Sequence, residues 1–323
     1  MGKKSAAAST AVPVQVKRVK KARENAFLYD WKRNKNLLLM SLIGFIVVFI
    51  FNYLPMFGIV IAFKNYNLYA GIWASKWVGL RHFKSFFGDP YFFRLIRNTF
   101  LTGLFTFLFT FPAPIVLALM LNELKDGMYK KTTQTITYLP YFISTVVVVS
   151  LLKTLLSGTG PVNQLLGNFG IEPILFFNEP GWFRTIYVVS SVWQTVGYNS
   201  IIYLAALSGV DVSLYEAATL DGATKMQKIL HVTIPAISGT ILVLLIMNVG
   251  SIVSVGFEKI YLMYTPATYE TADVLSTYTY RRGMQNREFS YGAAVDLFNS
   301  VISMALLIIA NTISKKVAHQ GLW

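Results

Sequence analysis

Six apolar stretches constrain this chain more than any other feature. They cover residues 37–63, 95–121, 136–156, 185–207, 236–257 and 291–313, and none carries more than one charged residue. About 20 apolar residues suffice for an α-helix to cross a hydrocarbon core. Inside lipid every backbone N–H and C=O must find its partner within the protein, which leaves helices or a closed barrel. A barrel strand shows alternation over segments of about 10 residues, whereas these stretches are continuously apolar. The expected fold is an all-α integral membrane protein with six transmembrane helices. Composition agrees, with 54% hydrophobic and 14% charged residues, against about 25% charged in soluble domains. The first stretch exceeds the apolar core of a secretory signal and five more follow it, so it reads as a span and not as a cleaved leader.

Charge placement suggests the topology. Ten of the 29 Lys and Arg residues lie in residues 1–36, among them Lys17, Arg18, Lys20, Lys21, Arg23, Lys32, Arg33 and Lys35. A basic tail before the first span argues for a cytoplasmic amino terminus. Six spans then return the carboxy terminus, residues 314–323 with Lys315 and Lys316, to the same side. The transmembrane domain is 37–313. Outside the tail, seven cations fall on the inner side and eleven on the outer, so the orientation rests on the tail and on the loop described next. The net charge of +14 sits in the tail and loops, where it suits membrane lipid headgroups and not nucleic acid. With no cysteine and three histidines, the sequence offers no disulfide and no metal site. Residues 77–100 read as an interfacial helix on the outer surface. The outer segments 157–184 and 258–290 read as loops. Tyr261, Tyr264, Tyr269, Tyr278 and Tyr280 serve there either as headgroup anchors or as part of a partner-receiving outer gate.

The loop 211–235 between spans four and five has the signals of two short helices with a bend. Ser213 and Glu216 have capping-box spacing, as do Thr224 and Gln227. Gly222 suits a left-handed stop between them. Met226, Ile229, Leu230 and Thr233 share one face of the second helix, and Pro235 suits the first turn of span five. The pair Ala217-Ala218 permits close approach by another surface. From the residues alone, a connector lying on the membrane and a docking surface are both open.

This loop resembles the cytoplasmic EAA motif of ABC importer permeases, E-A-A-x3-G-x9-I-x-L-P. Glu216, Ala217, Ala218, Gly222 and Pro235 match it, and Asp221 and Ala223 complete the usual D-G-A. Val232 and Ile234 replace Ile and Leu, and Gly239 stands where a second proline often follows. The stretches 53–58 (YLPMFG), 111–115 (FPAPI), 137–140 (TYLP) and 202–206 (IYLAA), with the ending 321–323 (GLW), are similar to the maltose-type sugar branch and its polysaccharide-importing subgroup. The resemblance implies a type I ABC importer permease fold in a bacterial plasma or inner membrane. It implies a homologous second permease, two cytoplasmic ATPase subunits and an extracellular or periplasmic solute-binding protein. The loop's docking residues would be Glu216, Ala217, Ala218, Asp221, Gly222, Ala223, Ile229 and Pro235. No G-x-x-x-x-G-K-[ST] phosphate loop is present, so ATP and Mg would belong to the partner ATPases and no cofactor to this chain.

On this reading the cargo is an oligosaccharide, with an acidic polysaccharide fragment as a candidate. Trp193, Gln194, Tyr198 and Asn199 in span four, with Asn248 in span five and Asn299 in span six, supply aromatic faces and amides for a sugar path. The same residues equally suit packing between helices. The alternatives are another small solute, or an ion-coupled transporter, for which Asp296 is the sole acid well inside a span. An intramembrane enzyme needs a nucleophile–base pair or a motif such as H-E-x-x-H, and neither is in the sequence. The chain is expected to be non-catalytic.

Overall fold

The computed structural model describes residues 26–318. Most of the basic tail, including Lys17, Arg18, Lys20, Lys21 and Arg23, and the ending 321–323 lie outside the described residues. The chain forms two units, residues 1–58 and 59–323.

In the first unit an α-helix, Ala26–Val48, gives way to a wider turn at Phe49–Tyr53. There Leu54 N–H donates to the Phe49 carbonyl, five residues back. Pro55 follows at once and has no N–H to offer the preceding turn, which accounts for the irregular winding. Phe45, Phe49 and Tyr53 stack in sequence, with centroids 6.2 and 6.1 Å apart. Leu37, Ile43 and Phe51 are all more than 60% exposed. From Leu37 onward this helix is apolar on every face, the character of a lipid-facing span.

Three runs are long and apolar enough to cross a membrane as single rods: Asn34–Phe63, Phe92–Asn122 and Phe289–Lys316. Three more are bent pairs, and counting each pair as one span gives six. Span three is therefore not the straight helix expected over 136–156. Met128–Phe142 and Thr145–Leu155 meet at 98°. Pro140 sits in a tight turn, Ile143 and Ser144 are extended, and the Ser144 hydroxyl accepts from Val147 N–H to start a new helix. An average hydropathy over the run cannot register that stop and restart. Span five is also shorter than expected. Its regular helix is Ser238–Gly250, followed by local turns over Ser251–Ser254.

The segment 77–100 is not one interfacial helix. Lys64–Asn65 and Lys76–Trp77 pair as a two-residue hairpin, and a short helix, Arg81–Phe87, follows. Gly88 ends that helix. Asp89 and Pro90 turn the chain, with Asp89 Oδ1 accepting from Tyr91 N–H, and span two begins at Phe92.

The two segments expected on the outer side are folded and not loose. In 157–184, Asn163 is buried and staples both sides of its turn, donating to the Ser157 and Ile174 carbonyls and accepting from Ile174 N–H. In 258–290, the helices Phe257–Met263 and Leu275–Thr279 pack into the main hydrophobic clusters, around Phe183, Tyr187, Ile260 and Met263 and around Phe86, Leu95, Leu275 and Tyr278. Tyr278 is core and not a headgroup anchor, being 2% exposed. Tyr261, Tyr264, Tyr269 and Tyr280 instead form a chain of ring contacts with Phe257, with successive centroids 5.0–5.6 Å apart.

This folded cap sits at one end of the second unit. Leu275 N–H donates to Thr99 Oγ1 near the start of span two, and Arg184 at the start of span four donates to Asn98. Span four, Pro180–Ser208, then runs the length of the bundle to the loop 211–235. Gly197 lets it pass directly over the backbone of span three, since a Cβ there would overlap the Thr137 carbonyl.

Candidate functional site

The loop 211–235 folds into a braced V. Its first helix is Val212–Leu220, and its cap is Asp211, whose Oδ1 accepts from Ser213 N–H at 2.9 Å. The expected Ser213–Glu216 capping box is thus not formed. A carboxylate two residues earlier takes the orphan donor, and Glu216 is left free to face outward. The Ser213 N–H also holds the Asp211 carboxyl below its ordinary pKa, so the cap is ionised at neutral pH.

Gly222 ends the helix in the left-handed conformation expected of it, with φ +76°. Ala223 N–H donates to the Ala218 carbonyl and Gly222 N–H to that of Thr219, the pair of bonds that defines a Schellman stop. Thr224 and Gln227 then form the expected capping box in full. Two bonds tie the arms together, from Lys228 Nζ to Thr219 Oγ1 at 2.7 Å and from Tyr215 Oη to Thr233 Oγ1 at 3.1 Å.

The second arm departs from expectation at its far end. Lys225–Lys228 continues through a wide turn at Ile229–Thr233 into Ile234–Ala236, and the 66° break to span five comes at Ile237. Pro235 thus lies late in the arm and not in the first turn of span five. Lacking an N–H, it leaves the carbonyl four residues back unbonded, and the backbone widens so that Ile234 N–H reaches the Ile229 carbonyl instead. The expected apolar face divides as well. Thr233 is buried and Ile229 half-buried, while Met226 and Leu230 are 63% and 52% exposed.

The V presents a mixed surface. Leu220 is 90% and Val212 66% exposed, and Glu216 and Ala217 face outward beside them. Ala218, Asp221, Gly222 and Ala223, with Gln227 and His231 opposite, line a notch of about 290 Å³ inside the bend. Among the described residues Glu216 has no hydrogen-bond or ion-pair partner. A rigid element with bare leucine and valine, an unspent carboxylate and a hollow floored by small side chains is suited to receive another surface.

The polar residues named for the path do not form one patch. Span four turns 100° per residue, which spreads Trp193, Gln194, Tyr198 and Asn199 over different faces. Trp193 lies in an apolar groove with Ile186 and Val189. Gln194 donates to the Ile143 carbonyl, and Tyr198 stacks on Tyr141 with centroids 3.8 Å apart, so both pack on the bend of span three. Asn199 and Asn248 are brought together, with Thr110, Pro114 and Tyr203, around a cavity of about 140 Å³. Asn248 donates to the Leu244 carbonyl. Asn299 has a buried Oδ1 without a partner.

Sequence reading missed the polar core of the cap. Asp273 is fully buried and bridged by Arg281 at 2.6 Å, with Arg94 at 3.8 Å. Asn98 donates to the Glu270 and Asp273 carbonyls. Asp89 accepts from Tyr278 and Tyr291 and faces Arg282, which in turn pairs with Glu288 at 2.6 Å. In a segment that reads as a loop (258–290) or as an interfacial helix (77–100) these acids look solvated, and no local pattern marks them as buried.

Residues 110–319, which include the braced loop, match the family model of the binding-protein-dependent transport system inner membrane component. The chain belongs to this family of transport permeases. It is the non-catalytic, membrane-embedded permease subunit of an ABC importer, with the type I fold. This permease is 44% identical over 293 residues to Protein LplB of Bacillus subtilis, covering 90% of this chain and 92% of that one. It is 41% identical over 305 residues to the polygalacturonan/rhamnogalacturonan transport system permease protein YteP of the same organism, covering 94% and 95%. Its structure matches a chain of a bacterial alginate ABC transporter, solved in complex with an alginate pentasaccharide-bound periplasmic protein. The TM-score is 0.83 at 43% identity, over 91% of this chain and 99% of the other.

Proposed function

We propose that this permease pairs with a homologous second permease to form the transmembrane path for an acidic oligosaccharide. A solute-binding protein delivers the cargo at the cap, and two ATPase subunits, which carry the ATP and Mg, dock on the loop 211–235. Both termini then lie in the cytoplasm. The tail 1–36 and the ending 314–323 flank a transmembrane domain of 37–313. The single observation that carries the docking role is the braced V, with Leu220 bare, Glu216 unspent and a notch at the Gly222 bend. Because the arms are tied by Lys228–Thr219 and Tyr215–Thr233, a push on either arm moves both, and span five begins just beyond the break at Ile237. ATP-driven closure of the ATPases would thereby reach the spans as a rigid displacement. The acidic cargo is supported by the likeness to YteP and to the alginate transporter. Asn199 and Asn248 are the best placed of the path residues, since they share a cavity between spans two, four and five. Trp193, Gln194, Tyr198 and Asn299 are secondary candidates.

Two substitutions test the docking role. Glu216→Ala removes the free carboxylate. Gly222→Val places a β-branched residue at positive φ, which costs on the order of 1–2 kcal/mol and distorts the bend. Either should lower co-purification of the ATPase and ATP-driven uptake at least about tenfold, equivalent to ~1.4 kcal/mol, while membrane insertion is unchanged. Wild-type co-purification and uptake in both variants would remove the docking assignment. Calorimetry of the partner binding protein against neutral and acidic oligosaccharides tests the cargo.

A further inference from the structure

The second unit holds a polar hollow of about 440 Å³ between the hairpin, the helix Arg81–Phe87 and the start of span six. It lies at the cap end, opposite the loop 211–235. Three arginines line it, Arg81, Arg282 and Arg287, with His82 beside them. Its two acids are already engaged. Glu288 is held by Arg282 through Nε and Nη2, and Asp89 takes the hydroxyls of Tyr278 and Tyr291 and also faces Arg282. Arg81 and Arg287 are left without a carboxylate among the described residues. The hollow therefore keeps two unmatched guanidinium groups.

The backbone makes Arg287 unusual. It stands at φ +60°, the one non-glycine residue with positive φ among the described residues. Glu288 N–H bonds back to the Arg282 carbonyl and Asn286 N–H to that of Arg281, so Arg287 occupies the stop position of a helical turn where glycine is favoured. A charged side chain is kept where conformation alone would select none. Non-glycine residues held in the left-handed region cluster at active sites and ligand clamps. The rest of the wall suits a sugar: Ser85 and Asn65 offer hydroxyl and amide groups, and Tyr66 offers a ring steadied edge-on by Phe289.

We infer that this hollow binds a uronate unit of the cargo, with Arg81 and Arg287 on its carboxylate and Ser85 and Asn65 on its ring hydroxyls. The guanidinium fork matches a carboxylate in a two-point hydrogen bond, and the volume falls within the range of small-ligand sites. An acidic side chain of the binding protein presents the same carboxylate, but a recessed, hydroxyl-lined hollow favours the sugar. The inference rests on the acidic-oligosaccharide reading above and gives that cargo a contact on the permease itself.

The test uses the assembled transporter in nanodiscs without its binding protein. It is titrated calorimetrically with oligogalacturonate, with oligoalginate, and with the methyl ester of each. The variant is Arg81→Gln with Arg287→Gly. Glycine relieves the left-handed strain, and Arg81 is an exposed residue at a helix start, so the variant should assemble normally. Wild type should bind at least one uronate oligomer, ignore its ester, and lose at least tenfold in affinity in the variant. An unchanged affinity in the variant, or no uronate binding by wild type, overturns the site. Stimulation of the ATPase by binding protein that falls in the variant while uronate affinity holds assigns the hollow to a protein carboxylate, which also overturns it. Uptake into proteoliposomes with binding protein present separates the two readings. Uronate import by wild type keeps the cargo even if the site fails, and import of neutral sugars alone removes both.

Discussion

Gly197 shows what one residue decides in this permease. A Cβ there would overlap the Thr137 carbonyl and crowd Tyr138 N, both backbone atoms that cannot swing aside. Gly197→Ala should therefore force spans three and four apart and destabilise the protein by about 1–3 kcal/mol, the usual effect of overpacking. Thermal melting of the detergent-solubilised protein would register the loss as a lower midpoint, and an unchanged midpoint would mean that the two helices do not cross there. Nothing near Gly197 in the sequence announces this role, because the crossing partner is about sixty residues away. Gly222 is the opposite case. Its role was legible because the bonds that need its positive φ come from the four residues before it and the one after it. Asp211 lies between these cases. The helix start was legible to within two residues, but the competition between Asp211 and Ser213 for the first donor was settled only by the observed geometry.

Among the elements, the cap 258–290 changes most between expectation and structure. Its acids, arginines and tyrosines break any apolar period, so its sequence reads as a loop. In the structure those same residues satisfy one another around Asp273, which is fully buried between Arg281 and Arg94. Asp273→Asn should leave two part-buried guanidinium groups without their counter-charge, at a cost of about 3–5 kcal/mol. Asp273→Leu combined with Arg281→Leu should recover a good part of that, since removing both partners leaves less uncompensated charge. Melting of the single and double variants checks this, and a double variant no more stable than Asp273→Asn would show that the pair does not govern the cap. The bends at Pro140 and Ile237 teach a related lesson. Proline stands near each break, but its presence alone does not specify the angles of 98° and 66°.

For the whole molecule, the absence of cysteine makes topology directly measurable. Leu220, on the loop 211–235, and Tyr69, in the turn of the hairpin, are 90% and 98% exposed, so each accepts a single cysteine without disturbing the core. In sealed cells an impermeant maleimide should label Tyr69→Cys and not Leu220→Cys, and inside-out vesicles should reverse the pattern. Adding the ATPase should then shield Leu220→Cys. Labelling of Leu220→Cys from outside would invert the proposed orientation. Local sequence is enough to predict six spans, a capped bend with glycine at its turn before span five, and the permease family. Those features depend on runs of about 20 residues or on bonds spanning three to five residues, and both are written locally. Which polar residues meet emerges only once the helices have packed. Packing divided the span-four cluster among different faces, joined Asn199 to Asn248, buried Asp273 and left Arg81 and Arg287 unmatched. Distance along the chain is the cause. Asn98 reaches the Asp273 carbonyl across 175 residues, and a contact of that separation exists only after the spans have packed.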